Sequence, residues 1–229
     1  YDMLYGGKGA NQALAAARSG AKVALVGRVG GDLMTDKMVR FLRRDGVMTT
    51  GVGRLDDLGT GCASVVVDEQ GENQIVVAPG ANSQAISSQV PDEILKIGNV
   101  VLVQNEVRTE ETADLLSRAH NSGAKTILNL APVRDFNPRF LDRVHYLILN
   151  QLEATQLYCR IRACNDDPAA SRVAAFLAAE YKLACIVTLG SGGAICVDED
   201  GQSYSAKALP IENVIDRTGA GDAFCGMFA

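Results

Sequence analysis

The stretch VVLVQNEVRTEETADLLSRAHNSGAKTILN, residues 100–129, decides the fold. Val100 to Gln104 is a short apolar run rich in β-branched residues, and Thr109 to Ser122 reads as an amphipathic helix ended by Gly123. Thr126 to Asn129 is a second strand. The alternation continues with a strand at Tyr146 to Asn150, a helix at Pro168 to Tyr181 and a strand at Cys185 to Leu189. It also runs back toward the N-terminus. An alanine-rich helix at Asn11 to Ser19 is closed by Gly20, and Lys22 to Val29 is a buried-strand run. Leu33 to Arg44, with Met34, Met38, Phe41 and Leu42 at helical spacing, is a helix ended by Gly46. Strands and helices in alternation predict an α/β protein with a mainly parallel sheet flanked by helices. In such a sheet ligands sit beyond the carboxyl ends of the strands, where this chain places Asn105, Glu106, Asn129, Asn150, Thr188 and Gly190.

One segment breaks the pattern. Gly61 to Asp68 and Asn73 to Ala78 are β-branched runs joined by Glu69-Gln70-Gly71-Glu72, and they read as a hairpin. The expectation is one domain carrying an insertion at about residues 47–80 that stands off the main sheet.

Composition narrows the function. With 229 residues and 47% hydrophobic content the chain is long enough for one sizeable core. A formal net charge of -5 with no basic stripe argues against nucleic acid or an anionic membrane as partner. Apolar runs are interrupted well before the roughly 20 residues a membrane span needs, and no charged-then-apolar signal segment stands at Tyr1, so a cytoplasmic location is expected. The six cysteines form no Cys-x-x-Cys pair, and His120 and His145 are isolated, so they read as reduced, mostly buried thiols and structural histidines.

Two glycine-bearing segments carry chemistry. Asp216-Arg217-Thr218-Gly219-Ala220-Gly221-Asp222-Ala223-Phe224 reads as a strand end, a glycine-relieved turn and a helix start. Such a turn leaves the N–H groups of Gly219, Ala220, Gly221 and Asp222 facing an anion-sized pocket at the positive end of the helix dipole. Asp222 at its rim suits a general base taking a proton from a hydroxyl that attacks the anion; a first-turn Asp placed for dipole reasons is the plainer alternative. Gly6-Gly7-Lys8-Gly9-Ala10-Asn11-Gln12-Ala13 permits close backbone approach to a ligand, with Lys8 and Asn11 as donors. The spacing is not that of a P-loop, and a tight turn before a helix reads the same segment equally well.

These two segments, in this order, resemble the two signatures of the ribokinase-like (PfkB) sugar kinases. Thr60-Gly61-Cys62-Ala63, Gly71-Glu72-Asn73 and Gly80-Ala81-Asn82 resemble the ribokinase branch of that family. The resemblance implies a three-layer αβα fold with a small β lid over the sugar, pairing with a second subunit as a homodimer. It implies ATP as phosphoryl donor, Mg2+, K+ and the 5-hydroxyl of D-ribose as acceptor. Asp222 would be the base, and Gly219, Ala220 and Gly221 with Asp222 the anion hole. Gly7, Lys8, Gly9, Ala10, Asn11 and Glu106 would hold the sugar. Asn150, in Asn150-Gln151-Leu152-Glu153, would lie near the phosphates, and Glu153 would hold magnesium through water. Thr188, Leu189, Gly190, Ser191, Gly192 and Gly193, together with Gly221, would bind the nucleotide, while Asp216 and Thr218 would supply half of a monovalent-cation site. The family's first strand, with its sugar-gripping aspartate, and its later adenine-pocket segments are expected to lie outside this chain. Two other functions remain open: a kinase of the same family for another sugar or a nucleoside, and a non-catalytic module that senses sugar or nucleotide.

Overall fold

The structure, a computed structural model, describes residues 3–67, 73–134, 136–212, 214 and 216–229. Its elements run α1 (Lys8–Arg18), β1 (Ala24–Gly30), α2 (Thr35–Arg44), β2 (Met48–Leu55), β3 (Cys62–Val67) and β4 (Asn73–Ala78). After short 3-10 turns come β5 (Val100–Gln104), α3 (Thr109–Asn121), β6 (Lys125–Asn129), β7 (Tyr146–Asn150) and α4 (Gln151–Arg162). The chain ends with α5 (Ala170–Tyr181), β8 (Ala184–Thr188), β9 (Ala194–Val197), β10 (Ser203–Ala206) and α6 (Ala220–Phe228).

The main sheet has the order β10-β9-β8-β7-β6-β5. Strands β5 to β8 are parallel, and β9 and β10 add antiparallel at one edge. Leu147, Ile148 and Leu149 are successive and all buried, which requires cover on both faces of the sheet. Alternate residues supply it. Leu128, Leu147, Leu149 and Val187 pack with Leu116 of α3, Leu157 of α4 and Leu177 of α5 on one side. Ile127, Ile148 and Ile186 pack with Cys225 and Phe224 of α6 on the other, completing a three-layer α/β arrangement.

At the N-terminal end β1 and β2 pair in parallel as a sheet of their own, covered by Ala13 of α1 and Leu42 of α2. β3 and β4 form the antiparallel hairpin expected from sequence, separate from the main sheet. Val65, Val66, Val76 and Val77 on it are each at least half exposed. The expected link Glu69 to Glu72 lies outside the described residues.

Several elements go beyond the sequence reading. Helix α1 starts at Lys8 rather than Asn11, because Gly7 at φ 100 makes the turn that launches it. Lys8, Gly9 and Ala10 are therefore a helical first turn and not a loop. Strand β2 contains Gly51 and Gly53, which break its apolar pattern, and it pairs with β1 rather than with the hairpin. The helix after Asn150 and the short strands β9 and β10 were not read from the sequence either.

Candidate active site

The site forms where α6 crosses α1. A side chain at Gly226 would run into the backbone of Gln12 and Ala16 and the Ala15 methyl, so only glycine lets the helices approach this closely. Asp222 lies one turn before Gly226 and shares its helix face. Both of its carboxylate oxygens are held from α1: Asn11 Nδ2 donates to Oδ2 at 2.8 Å and Gln12 Nε2 to Oδ1 at 2.9 Å. Gln12 is 1% exposed. Its Nε2 also donates to Asn129 Oδ1 at 3.0 Å, and its Oε1 accepts from Gln104 Nε2 at 2.6 Å. Gln104 and Asn129 face each other in register at the carboxyl ends of β5 and β6. Asn129 in turn donates to the Ile148 carbonyl at 3.2 Å. A buried amide network thus ties the carboxylate to the sheet, and every member is hydrogen-bonded.

Lys8, in the first turn of α1, forms an ion pair with Glu106 just beyond β5, at 2.6 Å with each side chain about a third exposed. Glu106 also lines a cavity of about 210 Å³ with Pro79 and Ser83, which follow the hairpin. The two proposed sugar ligands therefore meet, next to the segment that leads out of the hairpin.

The Asn150 to Glu153 turn is a capping box. Asn150 Oδ1 accepts from the Glu153 N–H and Glu153 Oε2 accepts from the Asn150 N–H, both at 2.8 Å. Burial pushes the Glu153 carboxyl above its ordinary range, opposed by the Asn150 N–H and by the charge of Lys8. Buried Cys225 is pushed up to about 12 by burial first and then by the charges of Asp222 and Glu153, so both carboxylates act on one neighbourhood. Asn150 and Thr188 are paired in register on β7 and β8, which puts the start of the Thr188 to Gly193 segment beside this cap. There Thr188 Oγ1 donates to the Leu149 carbonyl at 3.4 Å, Leu189 N donates to Gly193 O at 2.8 Å, and Gly190 to Gly192 is a single 3-10 turn containing Ser191.

Ahead of α6, Asp216 Oδ1 accepts from Thr218 N at 2.9 Å and Thr218 Oγ1 at 2.8 Å, which holds the Asp216 carboxyl below its ordinary range. Gly219 turns the chain at φ 77, and the first helical bond runs from Ala223 N to Gly219 O. The Ala220 N–H donates to Arg217 O at 3.2 Å. The free donors therefore narrow from the four expected of an anion hole to Gly219, Gly221 and Asp222, for whose N–H groups no acceptor is present among the described residues.

The sequence alone does not single out Gln12 and Gln104, two members of this network, and marks Asn129 only as a polar strand end. The available signal is Gln12 itself: a polar residue in an alanine-rich helix, directly after the motif's Asn11.

These observations define a three-layer α/β fold with a carboxylate fixed at a helix start beside the carboxyl ends of the strands. The chain matches the pfkB family carbohydrate kinase model over residues 1–229, and it belongs to that family. It is 33% identical over 234 residues to the ribokinase of Schizosaccharomyces pombe, covering 98% of this chain and 72% of the relative. To the ribokinase of Mus musculus it is 33% identical over 230 residues, with 98% and 70% covered. Among solved structures, the ribokinase of Thermotoga maritima superposes with a TM-score of 0.85 at 28% identity, covering 96% of this chain and 71% of that one. The Arabidopsis thaliana ribokinase complexed with ribose and ATP gives a TM-score of 0.82 at 27% identity, covering 96% and 72%. No helix among the described residues is long and apolar enough to cross a membrane.

Proposed function

We propose that the protein transfers the γ-phosphoryl group of ATP to the 5-hydroxyl of D-ribose, giving ribose 5-phosphate and ADP. The observation that carries this reading is Asp222, whose two oxygens are fixed by Asn11 and Gln12 at a helix start with open N–H groups. A carboxylate held this way accepts the proton of the sugar hydroxyl as that oxygen bonds to the γ-phosphorus. The bond from phosphorus to the bridging oxygen breaks, and ADP leaves with the electron pair. The N–H groups of Gly219, Gly221 and Asp222 meet the charge on the transferring group. Little covalent help from the protein is needed, so positioning and charge neutralisation carry the rate.

Lys8, Asn11 and Glu106 grip the sugar, so the Lys8 to Glu106 pair opens or shares its bonds with sugar hydroxyls on binding. The hairpin closes over the sugar and excludes water, which protects ATP from hydrolysis. Its exposed valines suit pairing with a second copy as a homodimer, and the acidic chain suits the cytoplasm.

For magnesium the donor chemistry fits. Glu153 keeps one carboxylate oxygen outside its cap, and no cluster of three or more acidic, cysteine or histidine side chains exists among the described residues to form a protein cage. Magnesium held through water and the ATP phosphates matches that supply and would neutralise phosphate charge. Asp216 and Thr218, brought together by their own hydrogen bonds, offer oxygens for half of a potassium site.

The test is ADP release by the protein with magnesium and potassium, offered ribose, deoxyribose, fructose, adenosine or no sugar. Ribose-dependent release is expected. Stronger release with another acceptor keeps the mechanism and reassigns the sugar, and sugar binding without any release makes the protein a sensing module.

A further inference from the structure

At the far end of α4 the backbone brings two thiols together. The helix ends on Ala163 in the left-handed conformation (φ 50, ψ 45), and the Cys164 N–H returns to the Cys159 carbonyl at 3.1 Å. That bond from the sixth residue to the first closes a Schellman motif, which sets the first and sixth side chains against each other, usually as an apolar contact. Here both positions are cysteine. Each is partly buried and packs on the main core, and Cys159 Sγ donates to the Asp166 carbonyl at 3.1 Å.

We infer that Cys159 and Cys164 are an oxidisable dithiol that a peroxide closes to a disulfide across the end of α4. A disulfide needs Cα atoms about 4.4–6.8 Å apart with converging Cβ atoms, a span compatible with two residues joined by one hydrogen-bonded turn. The other cysteines offer no such pair. Cys185 and Cys196 sit on neighbouring strands but pack on opposite faces of the sheet, Cys225 is buried under α6, and Cys62 is on the hairpin. In the reaction one thiolate attacks the peroxide O–O bond, forming a sulfenic acid and releasing water or an alcohol. The second sulfur then attacks the sulfenic sulfur, the S–S bond forms, and hydroxide leaves and is protonated to water. Two thiols lose two electrons and the peroxide gains them. Burial and the adjoining Cys164 thiol raise the Cys159 thiol above its ordinary value, which slows its attack. Cys159 is nine residues beyond Asn150, roughly 13 Å along the helix, so closure leaves the Glu153 cap in place.

The chain itself supplies the readout, because Arg160 and Arg162 separate the two cysteines. The full chain, reduced and freed of reductant, is treated with hydrogen peroxide, alkylated and cut with trypsin. A disulfide holds the Cys159 and Cys164 peptides together as one species that falls apart on reduction. The expected result is accumulation of that species, with the free thiols falling from six to four. In the Cys164→Ser chain, neither the joined species nor a Cys159 disulfide to another cysteine forms. The same treatment in urea, where the turn is gone, gives at least severalfold less of the joined species. Loss of two or more thiols without the joined peptide, joining of Cys159 to a different cysteine, or equal joining in urea would overturn the inference. Turnover does not enter the readout, so failure here leaves the kinase reading untouched.

Discussion

The proposed acceptor side and the proposed phosphate side of the site are built in opposite ways. Asp222 is held by Asn11 and Gln12, more than two hundred residues away in sequence, through a buried network that ends on the sheet. Asn150 and Glu153, three residues apart at one helix start, cap each other. The first arrangement exists only when α1, α6, β5 and β6 are all in place, whereas the second forms with one turn of helix. The Asp222 carboxylate, the proposed base, is therefore held in place before substrate arrives. The Asn150 to Glu153 cap is satisfied locally, and on the proposed reading it would share or release its bonds to engage magnesium and ATP.

Asp222→Asn breaks the acceptor side most directly. Without the carboxylate no group takes the hydroxyl proton, and turnover falls by about 10²- to 10⁴-fold with ribose affinity nearly unchanged, measured by ADP release and calorimetric titration. Unaltered turnover would remove Asp222 from the mechanism. Next in size is Gln12→Met, which keeps the side-chain volume and removes all three amide bonds. It leaves partners on β5, β6 and α6 without their bonds, so unfolding stability drops by about 1–3 kcal/mol in urea titration and turnover falls together with it.

On the phosphate side the effects are smaller. Glu153→Gln keeps the cap, since a glutamine oxygen also accepts the Asn150 N–H, but removes the charge, so it raises the magnesium concentration needed for half-maximal rate with ribose affinity unmoved. A shift in ribose affinity instead would mean that the two sides are not separable. Since burial raises the Glu153 carboxyl above 4.5, the wild-type protein loses its magnesium response at a higher pH than an ordinary glutamate would allow. That is read from magnesium titrations at descending pH.

The smallest effect lies outside the site and sets its baseline. His145 accepts from or donates to Thr126 and stacks on His120 at 5.2 Å. Burial first, then the charges of Lys125 and His120, lowers it from 6.5, with Glu199 opposing. The unfolded chain takes up this proton near pH 6.5 while the folded one resists, so stability falls as pH drops below 6.5 toward the native value. Thermal melts of His145→Gln should show a shallower loss over that window than the wild type.

The sequence shows the same division. Strands β5 and β7 were legible to the residue, because buried parallel strands leave unbroken apolar runs bounded by polar ends. The Asn150 to Glu153 cap was also within reach, since its partners are neighbours. Strand β2 was hidden because Gly51 and Gly53 erase its pattern, and its pairing with β1 is a long-range fact. Gln12 was passed over for a similar reason. It follows the conspicuous Asn11, and its partners Gln104, Asn129 and Asp222 converge only when distant elements pack. The start of α1 at Lys8 is not legible because the glycines read as loop, although a single positive φ at Gly7 suffices for the turn.

The claim that the acceptor side works as one assembled unit is tested most directly by a double-mutant cycle of Gln12→Met and Asp222→Asn, with turnover measured for both single variants and the double. If Gln12 acts through the base, its substitution lowers turnover in the wild-type background and has almost no further effect once Asp222 is asparagine. Equal losses in both backgrounds would contradict the account and leave Gln12 a structural residue only.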